Sequence, residues 1–425
     1  MRNTLIFKGK LVTVIGLARS GLACANLLFS LGAKVRVSEA KDNPQIRLNV
    51  SKLKSKKIKF ELGSHTRDFI RGADLVVVSP GVTQQSRPVA WARAFDISVV
   101  SEIEIGWLLC SGKIIAVTGS SGKTTVTTLI ANVLEADKKR VFTCGNIGRP
   151  FTSLVHKIRE GDYVSLEVSS FQLEGINHFK PEVAVMLNIS PNHLDRHKDM
   201  QEYVQAKKRI FINQDKGCFA VLNANDLVVK NLASRINAQT LFFKESRAFN
   251  PNQAAVLCVA SLLGIRKNVC LKVFKEFKGI QHRFERLESC RGVSFINDSK
   301  STTGISTIWA LKNLFSPVIL IAGGRDKGID YKAILPYARN KVKEVFAVGE
   351  AKNKIKQALS DCLPFYEAAS LSEAVKRAFD QARRGDCILL SPMCSSFDMF
   401  SDYQARGRAF KRIVADLIRK NKKNA

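Results

Sequence analysis

The feature that most constrains this chain is a glycine-bounded loop between an apolar run and a helical pattern. The run Lys113–Val117 leads into Thr-Gly-Ser-Ser-Gly-Lys-Thr-Thr at 118–125. The backbone N–H groups of such a loop, with the N-terminus of the following helix, bind phosphate oxygens. Lys123 would reach the β- and γ-phosphates of a nucleoside triphosphate, and the Thr124 hydroxyl would bind Mg²⁺. The loop is shorter than usual, because Val117 stands where the first glycine would be. Its candidate ATP contacts are Gly119, Ser120, Ser121, Gly122, Lys123, Thr124 and Thr125.

Apolar, β-branched runs recur along the rest of the chain, each followed by a turn. They lie at 11–17, 34–39 and 75–80, then at 113–119, 163–170, 183–190 and 218–223, and finally at 293–299, 317–324, 344–349 and 387–392. Runs that alternate with helical patterns predict parallel sheets covered by helices. We expect an α/β protein with three domains, at 1–101, 102–280 and 281–425. The first and third are expected to be Rossmann-like, and the central one a P-loop ATPase-like domain.

Composition excludes some classes of protein and leaves others open. Ten cysteines without a CxxC pair are typical of reduced thiols in the cytoplasm. No apolar run approaches the length of about 20 residues that a membrane helix needs, and Arg19 interrupts the N-terminal apolar run too early for a signal peptide. The net charge of +30 suits either nucleic acid or acidic small molecules. We therefore expect a cytoplasmic protein.

Two polar residues beside apolar runs are candidate magnesium ligands. Glu167 lies inside the run 163–170, where a carboxylate needs a cation or hydrogen bonds to offset its burial. The alternative is a carboxylate that caps a neighbouring helix. His193 follows the run 183–190 at a predicted strand end, and a single histidine in such a place is more often structural.

Six motifs in order along the chain carry a family resemblance. TGSSGKTT, LEVSSFQLE (166–174), NHLDRH (192–197), QHRFE (281–285), NDSKST (297–302) and LSPMCSSFDMF (390–400) resemble the Mur ligases of peptidoglycan synthesis. The resemblance spans all three predicted domains. It implies an ATP-dependent ligase that adds D-glutamate to UDP-N-acetylmuramoyl-L-alanine. ATP would phosphorylate the alanyl carboxylate, and the amine of D-glutamate would displace phosphate from the acyl phosphate.

The resemblance implies two magnesium ions in the central domain. Thr124 and Glu167 would hold the first ion, and His193 the second. Lys207, in QEYVQAK (201–207), would be carbamylated by CO₂ and so become an anionic ligand. The alternative for Lys207 is a solvated helix face. The residues implied in catalysis are Lys123, His193, Lys207 and Lys300.

Further contacts follow from the resemblance alone. Asn252, Arg283 and Asp298 would contact the nucleotide. The D-glutamate pocket would contain Thr302, Lys327, Ser396 and Tyr403. Tyr403 stands where the family resemblance leads us to expect Phe, and Met393 and Ser395 replace smaller apolar residues. The C-terminal domain is expected to swing towards the central one in a hinged monomer.

The N-terminal segment Gly16–Gly21 looks like a degraded dinucleotide fingerprint. Ala18 stands at its second glycine position, which disfavours NAD because the backbone must approach the pyrophosphate there. By resemblance this is the uridine-diphosphate pocket instead, and the alternative is a structural turn. The implied contacts are Ser20, Glu39, Gly81 and Asn146.

Several other functions remain open at this point. The first is another Mur-family ligase or a folylpolyglutamate synthetase that adds a different amino acid. A nicotinamide-dependent oxidoreductase and a nucleic-acid-binding P-loop ATPase are the others. Against the last, no apolar run ends in a Walker B aspartate, because Glu167 is placed in mid-strand. We expect small-molecule partners only, with no nucleic acid and no membrane.

Overall fold

The computed structural model describes residues 1–192, 196–326 and 328–423. Its strands are β1 Leu11–Ile15, β2 Lys34–Glu39, β3 Lys59–Leu62, β4 Leu75–Val78, β5 Val99–Ser101, β6 Lys113–Thr118, β7 Val141–Gly145, β8 Tyr163–Glu167, β9 Val183–Met186, β10 Phe219–Asn223, β11 Gln239–Phe243, β12 Glu285–Arg286, β13 Ser294–Asn297, β14 Val318–Gly323, β15 Val342–Val348, β16 Phe365–Glu367 and β17 Cys387–Leu390.

The α-helices are α1 Arg19–Ser30, α2 Pro44–Val50, α3 Arg67–Ile70, α4 Arg87–Ala94, α5 Glu102–Leu109, α6 Lys123–Ala136, α7 Ser170–Glu174, α8 Met200–Lys208, α9 Leu227–Lys230, α10 Pro251–Leu262, α11 Lys267–Glu276, α12 Gly304–Lys312, α13 Leu335–Ala338, α14 Lys352–Leu359, α15 Leu371–Gln381 and α16 Tyr403–Lys423. Short 3-10 turns lie at Thr4–Phe7, Phe151–Ser153, Val155–Lys157, Arg209–Phe211, Ala233–Arg235 and Tyr331–Ile334. Among the described residues, no helix is both long and apolar enough to cross a bilayer.

The strands form three sheets. Their orders are β3-β2-β1-β4-β5, β11-β10-β9-β6-β8-β7 and β12-β13-β17-β14-β15-β16. Every named pair of neighbours is parallel except β12 with β13. The predicted α/β class with three parallel-sheet domains is therefore confirmed. Because the carboxyl ends of parallel strands share one edge, each sheet gathers its strand-end loops there.

The chain divides into two compact units, Met1–Phe277 and Lys278–Ala425. The first unit contains two of the sheets, and the second contains the third. The predicted boundary near Gly279 lies beside this division, whereas the one near Ser101 falls between two sheets of the same unit. The exact domain bounds remain predictions.

Helix α5 links the two sheets of the first unit through buried carboxylates. Glu102 Oε1 accepts hydrogen bonds from the backbone N–H (2.7 Å) and the hydroxyl (2.6 Å) of Thr152. Glu104 accepts from three successive backbone N–H groups, those of Asn177, His178 and Phe179, at 2.8–3.0 Å. One apolar core also runs through both sheets, with members from Phe7 to Ala238. This packing explains why the unit is not divided at Ser101.

Candidate active site

The phosphate loop lies between β6 and α6, as predicted. Gly122 precedes α6 with φ 81°, a conformation that favours glycine. A Cβ at Gly122 would lie 2.5 Å from Asn252 Oδ1 on α10, so a larger residue would displace the Asn252 side chain. The structure thus brings Asn252 against the loop, where the resemblance placed a nucleotide contact.

The loop is held in shape by the residues that follow β9. The backbone N–H of Ser121 donates to Asn188 Oδ1 and that of Ser120 donates to the Asn188 carbonyl, both at 2.9 Å. The Ser120 hydroxyl donates to the Ser190 carbonyl at 3.0 Å. Asn188 was missed by the sequence reasoning, although a polar residue directly after a buried strand is a signal for it. These hydrogen bonds therefore hold the phosphate loop in a defined shape.

Lys123, the first residue of α6, folds back over its own loop. Its Nζ donates to the carbonyls of Gly119 (2.8 Å) and Ser120 (3.1 Å). Thr124 is buried and Thr125 is half-buried at the start of the same helix. A phosphate oxygen beside the loop would offer Lys123 a charged acceptor, which makes a stronger hydrogen bond than a neutral carbonyl.

Glu167 lies at the carboxyl end of β8, and its predicted mid-strand position is wrong. The strand ends there, so the side chain can reach the site edge of the sheet. Oε1 accepts a hydrogen bond from Asn146 Nδ2 at 2.7 Å, which brings Asn146 to the central site. Oε2 is buried and has no hydrogen-bond partner among the described residues. An unpartnered buried carboxylate oxygen beside a phosphate loop fits a hard cation such as Mg²⁺.

Lys207 is almost completely buried, with 1% of its surface exposed, so the solvated-face alternative is wrong. It lies near the end of α8, and its Nζ donates to the Gly119 carbonyl at 2.9 Å and lies 4.8 Å from the centre of the Tyr203 ring. Burial, together with the nearby charge of Lys123, holds the pKa of Lys207 well below its usual value, while Glu167 opposes this shift. A lysine so placed favours the neutral amine, which is the form that reacts with CO₂.

Aromatic residues that the sequence reasoning did not single out pack around Lys207. Tyr203 is fully buried, and its hydroxyl lies 3.1 Å from Ser120 Oγ. His197 is buried against it with 5.2 Å between ring centres, and its Nε2 lies 3.0 Å from Ser170 Oγ. Tyr203 and His197 fall within motifs of the resemblance, but burial is a tertiary property that the motifs do not reveal.

Two predicted site residues, His193 and Lys327, lie outside the described residues. Among the residues that are described, no group of three or more His, Cys, Asp or Glu side chains is arranged to hold a metal ion. Mg²⁺ is commonly held by one or two carboxylates with substrate phosphates and water, so Glu167 and Thr124 suit that mode of binding.

The predicted uridine-diphosphate contacts in the N-terminal sheet share one edge. Ser20 lies in the first turn of α1, Glu39 ends β2, and Gly81 is exposed after β4. The Ser79 hydroxyl donates to the Gly16 carbonyl at 2.9 Å and so joins two of these loops. Glu39 already accepts hydrogen bonds from the backbone N–H groups of Leu17 (2.7 Å) and Lys41 (3.0 Å). The carboxylate of Glu39 therefore has a structural role in bracing the loop after β1.

In the second unit, Asp298 lies buried after β13. Its Oδ1 accepts from the backbone N–H of Phe284 at 3.0 Å, and its Oδ2 from the Ser391 hydroxyl at 3.1 Å. Burial raises the pKa of this carboxyl to about 6, and the nearby Arg283 works in the opposite direction. Asp298 thus ties the QHRFE segment to the ends of β13 and β17.

The other predicted residues of the second unit lie on neighbouring loops. The Lys300 amine lies 5.7 Å from the centre of the Tyr403 ring at the start of α16. Thr302 is half-buried two residues further on, and Ser396 is buried in the loop after β17. These residues share the carboxyl edge of the third sheet.

The sequence reasoning missed Arg406, which is completely buried on α16. Burial lowers the pKa of its guanidinium to about 10. No sequence pattern distinguishes it from the many exposed arginines and lysines of the same helix.

The fold and the phosphate loop together define a nucleotide-binding α/β enzyme with a buried carboxylate and a buried lysine near that loop. Family profiles described as the Mur ligase MurD-like N-terminal domain, the Mur ligase middle domain and the Mur ligase glutamate ligase domain match residues 10–101, 117–258 and 282–394. The chain belongs to the Mur ligase family. It is accordingly an ATP-dependent ligase that forms amide bonds, and the family uses Mg²⁺.

Relatives named UDP-N-acetylmuramoylalanine–D-glutamate ligase match the chain along nearly its whole length. The one from Thermoanaerobacter pseudethanolicus is 37% identical and the match covers 97% of this chain and 99% of the relative. The one from Koribacter versatilis is also 37% identical, with 98% and 99% covered.

Solved structures share the fold at low sequence identity. MurC from Thermotoga maritima, a UDP-N-acetylmuramate–alanine ligase, is 18% identical with a TM-score of 0.61, and covers 96% of this chain and 99% of its own. FolC from E. coli, in complex with DHPP and ADP, is 15% identical with a TM-score of 0.58, and covers 72% and 90%.

Proposed function

We propose that this protein joins D-glutamate to UDP-N-acetylmuramoyl-L-alanine at the expense of ATP, in the synthesis of peptidoglycan precursors. The observation that carries the proposal is the 37% identity, over nearly the full length of both chains, to relatives named for this reaction. The phosphate loop, Glu167 and Lys207 supply the chemistry that the reaction needs. A carboxylate is a poor electrophile, so it must gain a leaving group before an amine can attack it.

The proposed reaction begins at the phosphate loop. An oxygen of the alanyl carboxylate attacks the γ-phosphorus of ATP, ADP leaves, and an acyl phosphate forms. The loop N–H groups and Lys123 bind the phosphate oxygens, and the N-terminus of α6 adds its positive dipole. Because the bonds from Asn188 hold the loop in shape, its donors need little reorganisation as charge develops.

Glu167 and Thr124 are the residues that would hold Mg²⁺ beside the phosphates. When bound, the ion withdraws charge from the phosphoryl oxygens and so favours transfer. Glu167 Oε2 lacks a protein partner among the described residues, which supports this role. In our proposal His193 and Lys207 hold a second ion, with Lys207 carbamylated by CO₂. The lowered pKa of Lys207 supports carbamylation, since it increases the share of neutral amine that can attack CO₂.

The second unit would bind the amino acid. The amine of D-glutamate attacks the acyl carbonyl, loses a proton and displaces phosphate. Lys300 would stabilise the developing charge, while Arg283 and Asp298 contact the nucleotide. The two carboxylates of D-glutamate call for cations and hydroxyl donors. The residues proposed for this pocket are Thr302, Lys327, Ser396 and Tyr403.

The muramoyl nucleotide would bind along the edge of the N-terminal sheet. Ser20, Glu39 and Gly81 would contact the uridine diphosphate, and Asn146 its sugar–diphosphate portion. The contact between Asn146 and Glu167 places that asparagine beside the proposed metal ligand, where the reacting end of the substrate must also come. We propose that the protein acts as a monomer in the cytoplasm.

The test is ADP formation by the purified protein with ATP, Mg²⁺ and UDP-N-acetylmuramoyl-L-alanine. We expect ADP formation to require D-glutamate. L-Alanine, a diamino acid or L-glutamate should not support it. Release supported by one of those amino acids instead would assign the protein to another ligase of the family. Release independent of any amino acid would reject the proposed substrate pair.

A further inference from the structure

Arg406 on α16 is buried at the carboxyl edge of the third sheet, and its partners are unusual for a buried arginine. Among the described residues it makes no ion pair with Asp or Glu. Four of its five hydrogen bonds go to backbone carbonyls and the fifth goes to a hydroxyl. Nε donates to Ser299 Oγ (3.0 Å), Nη1 to the carbonyls of Gly323 and Ser395 (both 3.3 Å), and Nη2 to those of Ser299 (2.9 Å) and Cys394 (3.0 Å).

These partners lie on three loops that are far apart in the chain. Ser299 follows β13 and directly precedes Lys300. Gly323 ends β14, in the segment that leads to residue 327. Cys394 and Ser395 follow β17 and precede Ser396. The same helix begins at Tyr403, one turn before Arg406, and the Ser299 hydroxyl donates to the Tyr403 carbonyl at 2.8 Å. One guanidinium therefore joins the loops that carry the proposed amino-acid contacts.

The surrounding packing leaves room for this side chain and little else. A Cβ at Gly324 would lie 2.2 Å from the Ser395 carbonyl oxygen and 2.9 Å from Arg406 Nη1, and Gly324 has φ 134°. A glycine is thus required at the point where the loops after β14 and β17 meet the guanidinium. Lysine could not replace Arg406 fully, because its amine is a single point charge with three donors, whereas the guanidinium presents five donors in a planar fork.

Burying a charged group without a hydrogen-bonded anionic partner is costly. The nearby carboxylate of Asp398 favours the charged guanidinium but forms no ion pair with it. A purely structural link between loops could use neutral side chains at lower cost. The charge also sits beside loops that, on the proposed function, receive a substrate with two carboxylates. A buried positive charge there contributes to the attraction of anions even without touching them.

We propose that Arg406 is a positioning residue for the amino-acid substrate, which fixes the loops after β13, β14 and β17 in the spacing that binds D-glutamate. The inference rests on the proposed function, since it assumes that these loops form the amino-acid pocket. It assigns Arg406 no contact with substrate. Its effect should therefore appear mainly in the KM for D-glutamate, and much less in the KM for ATP.

The experiment compares the wild type with Arg406→Lys and Arg406→Gln in steady-state ADP formation, each of the three substrates being varied in turn. Arg412→Lys, an exposed position on the same helix, is the matched control. In Arg406→Lys we expect the KM for D-glutamate to rise at least about tenfold, as expected for lost charge-assisted hydrogen bonds, with the KM for ATP within about twofold. In Arg406→Gln the KM for D-glutamate should rise further, and in Arg412→Lys it should match that of the wild type. Circular dichroism and the melting temperature report the folded fraction.

Two results would overturn the inference. One is an unchanged KM for D-glutamate in folded Arg406→Lys. The other is a loss of kcat that only follows the folded fraction, which a purely structural role would give. Should neither Arg406 variant fold, Ser299→Ala removes one acceptor and is expected to raise the KM for D-glutamate by about threefold, on the scale of one hydrogen bond. An unchanged KM there would also contradict the inference. Failure of the wild type to require D-glutamate would instead reject the proposed function.

Discussion

At the scale of single residues, the candidate site contains ionisable side chains that are buried within the protein. Lys207, Asp298 and Arg406 are buried, and the pKa of each is displaced from its usual value by that burial. The local sequence around Lys207 resembles an ordinary helix with polar faces, so only the family resemblance pointed to it. Arg406 had no signal at all, because its role arises from three loops that only the folded chain brings together.

The first prediction concerns Lys207→Ala. Without the lysine, no carbamate forms and a proposed metal ligand is lost, so turnover should fall at least about 100-fold, as when one strong electrostatic contact to the reacting groups is removed. Short carboxylic acids such as formate should restore part of the rate in ADP-release assays, because a carboxylate can occupy the place of the carbamate. Lys208→Ala, on the same helix turn, should be neither impaired nor rescued. A Lys207→Ala variant with normal turnover would contradict the assigned role.

The second prediction concerns the pH dependence of stability at Asp298. Its folded-state pKa is about 6, against an ordinary value of 3.8. Between these pH values the folded protein holds a proton that the unfolded chain has released, so the stability of the wild type falls as pH rises through this window. Asp298→Asn lacks this loss, and its amide oxygen can still accept a hydrogen bond. Between pH 4.5 and 7, the free energy of unfolding of Asp298→Asn should rise relative to that of the wild type by about 1–3 kcal/mol. The melting temperature of the variant should rise relative to the wild type in the same direction.

Thermal unfolding at several pH values checks this expectation. Asp380→Asn is the control, since Asp380 is exposed on α15. Its melting temperature should keep a constant offset from the wild type. A constant offset for Asp298→Asn as well would show that the buried carboxyl does not titrate in this window.

At the scale of the elements, the interior strands were predictable and the edge strands were not. The apolar runs in the sequence correspond to all eleven interior strands, β1, β2 and β4 of the first sheet, β6, β8, β9 and β10 of the second, and β13, β14, β15 and β17 of the third. The six strands without a predicted run lie at the edges of the three sheets. An interior parallel strand is covered on both faces and so is continuously apolar, whereas an edge strand carries polar residues.

The third prediction concerns the loop-bracing element after β9. Asn188→Ala removes the acceptor for the Ser121 N–H and hydroxyl, which loosens the phosphate loop. The KM for ATP should rise about three- to tenfold, which corresponds to one or two hydrogen bonds. Initial rates at varied ATP measure this, with the exposed Asn231→Ala as control. An unchanged KM for ATP would mean that the loop keeps its shape without Asn188.

At the scale of the whole molecule, two sheets behave as one unit because of α5. Glu104 accepts hydrogen bonds from three successive backbone N–H groups of the central domain, those of Asn177, His178 and Phe179. The N-terminal and central sheets are thereby fixed to each other by side chains from the segment between them. The pattern of apolar runs in the sequence did not predict this attachment. Family profiles do not reveal it either, because they match the two regions separately.

The fourth prediction is that Glu104→Gln destabilises the first unit and leaves the second unaffected. The loss should be about 1–3 kcal/mol, because the amide has one acceptor oxygen for three donors. In a Trp309→Phe background, Trp91 and Trp107 are the remaining tryptophans, and both lie in the first unit. Their fluorescence during urea unfolding should report a lower midpoint for Glu104→Gln, and no change for the exposed Glu135→Gln. Equal midpoints for both variants would show that α5 does not hold the unit together.

The attachment through α5 has a consequence for the design of inhibitors. The phosphate loop and the edge of the N-terminal sheet belong to one compact unit, so the packing of that unit holds them at a defined distance. On the proposed function, a linked compound that pairs a triphosphate mimic with a uridine group needs a tether that matches this distance. A rigid tether of that length would gain the advantage of bivalency at little entropic cost.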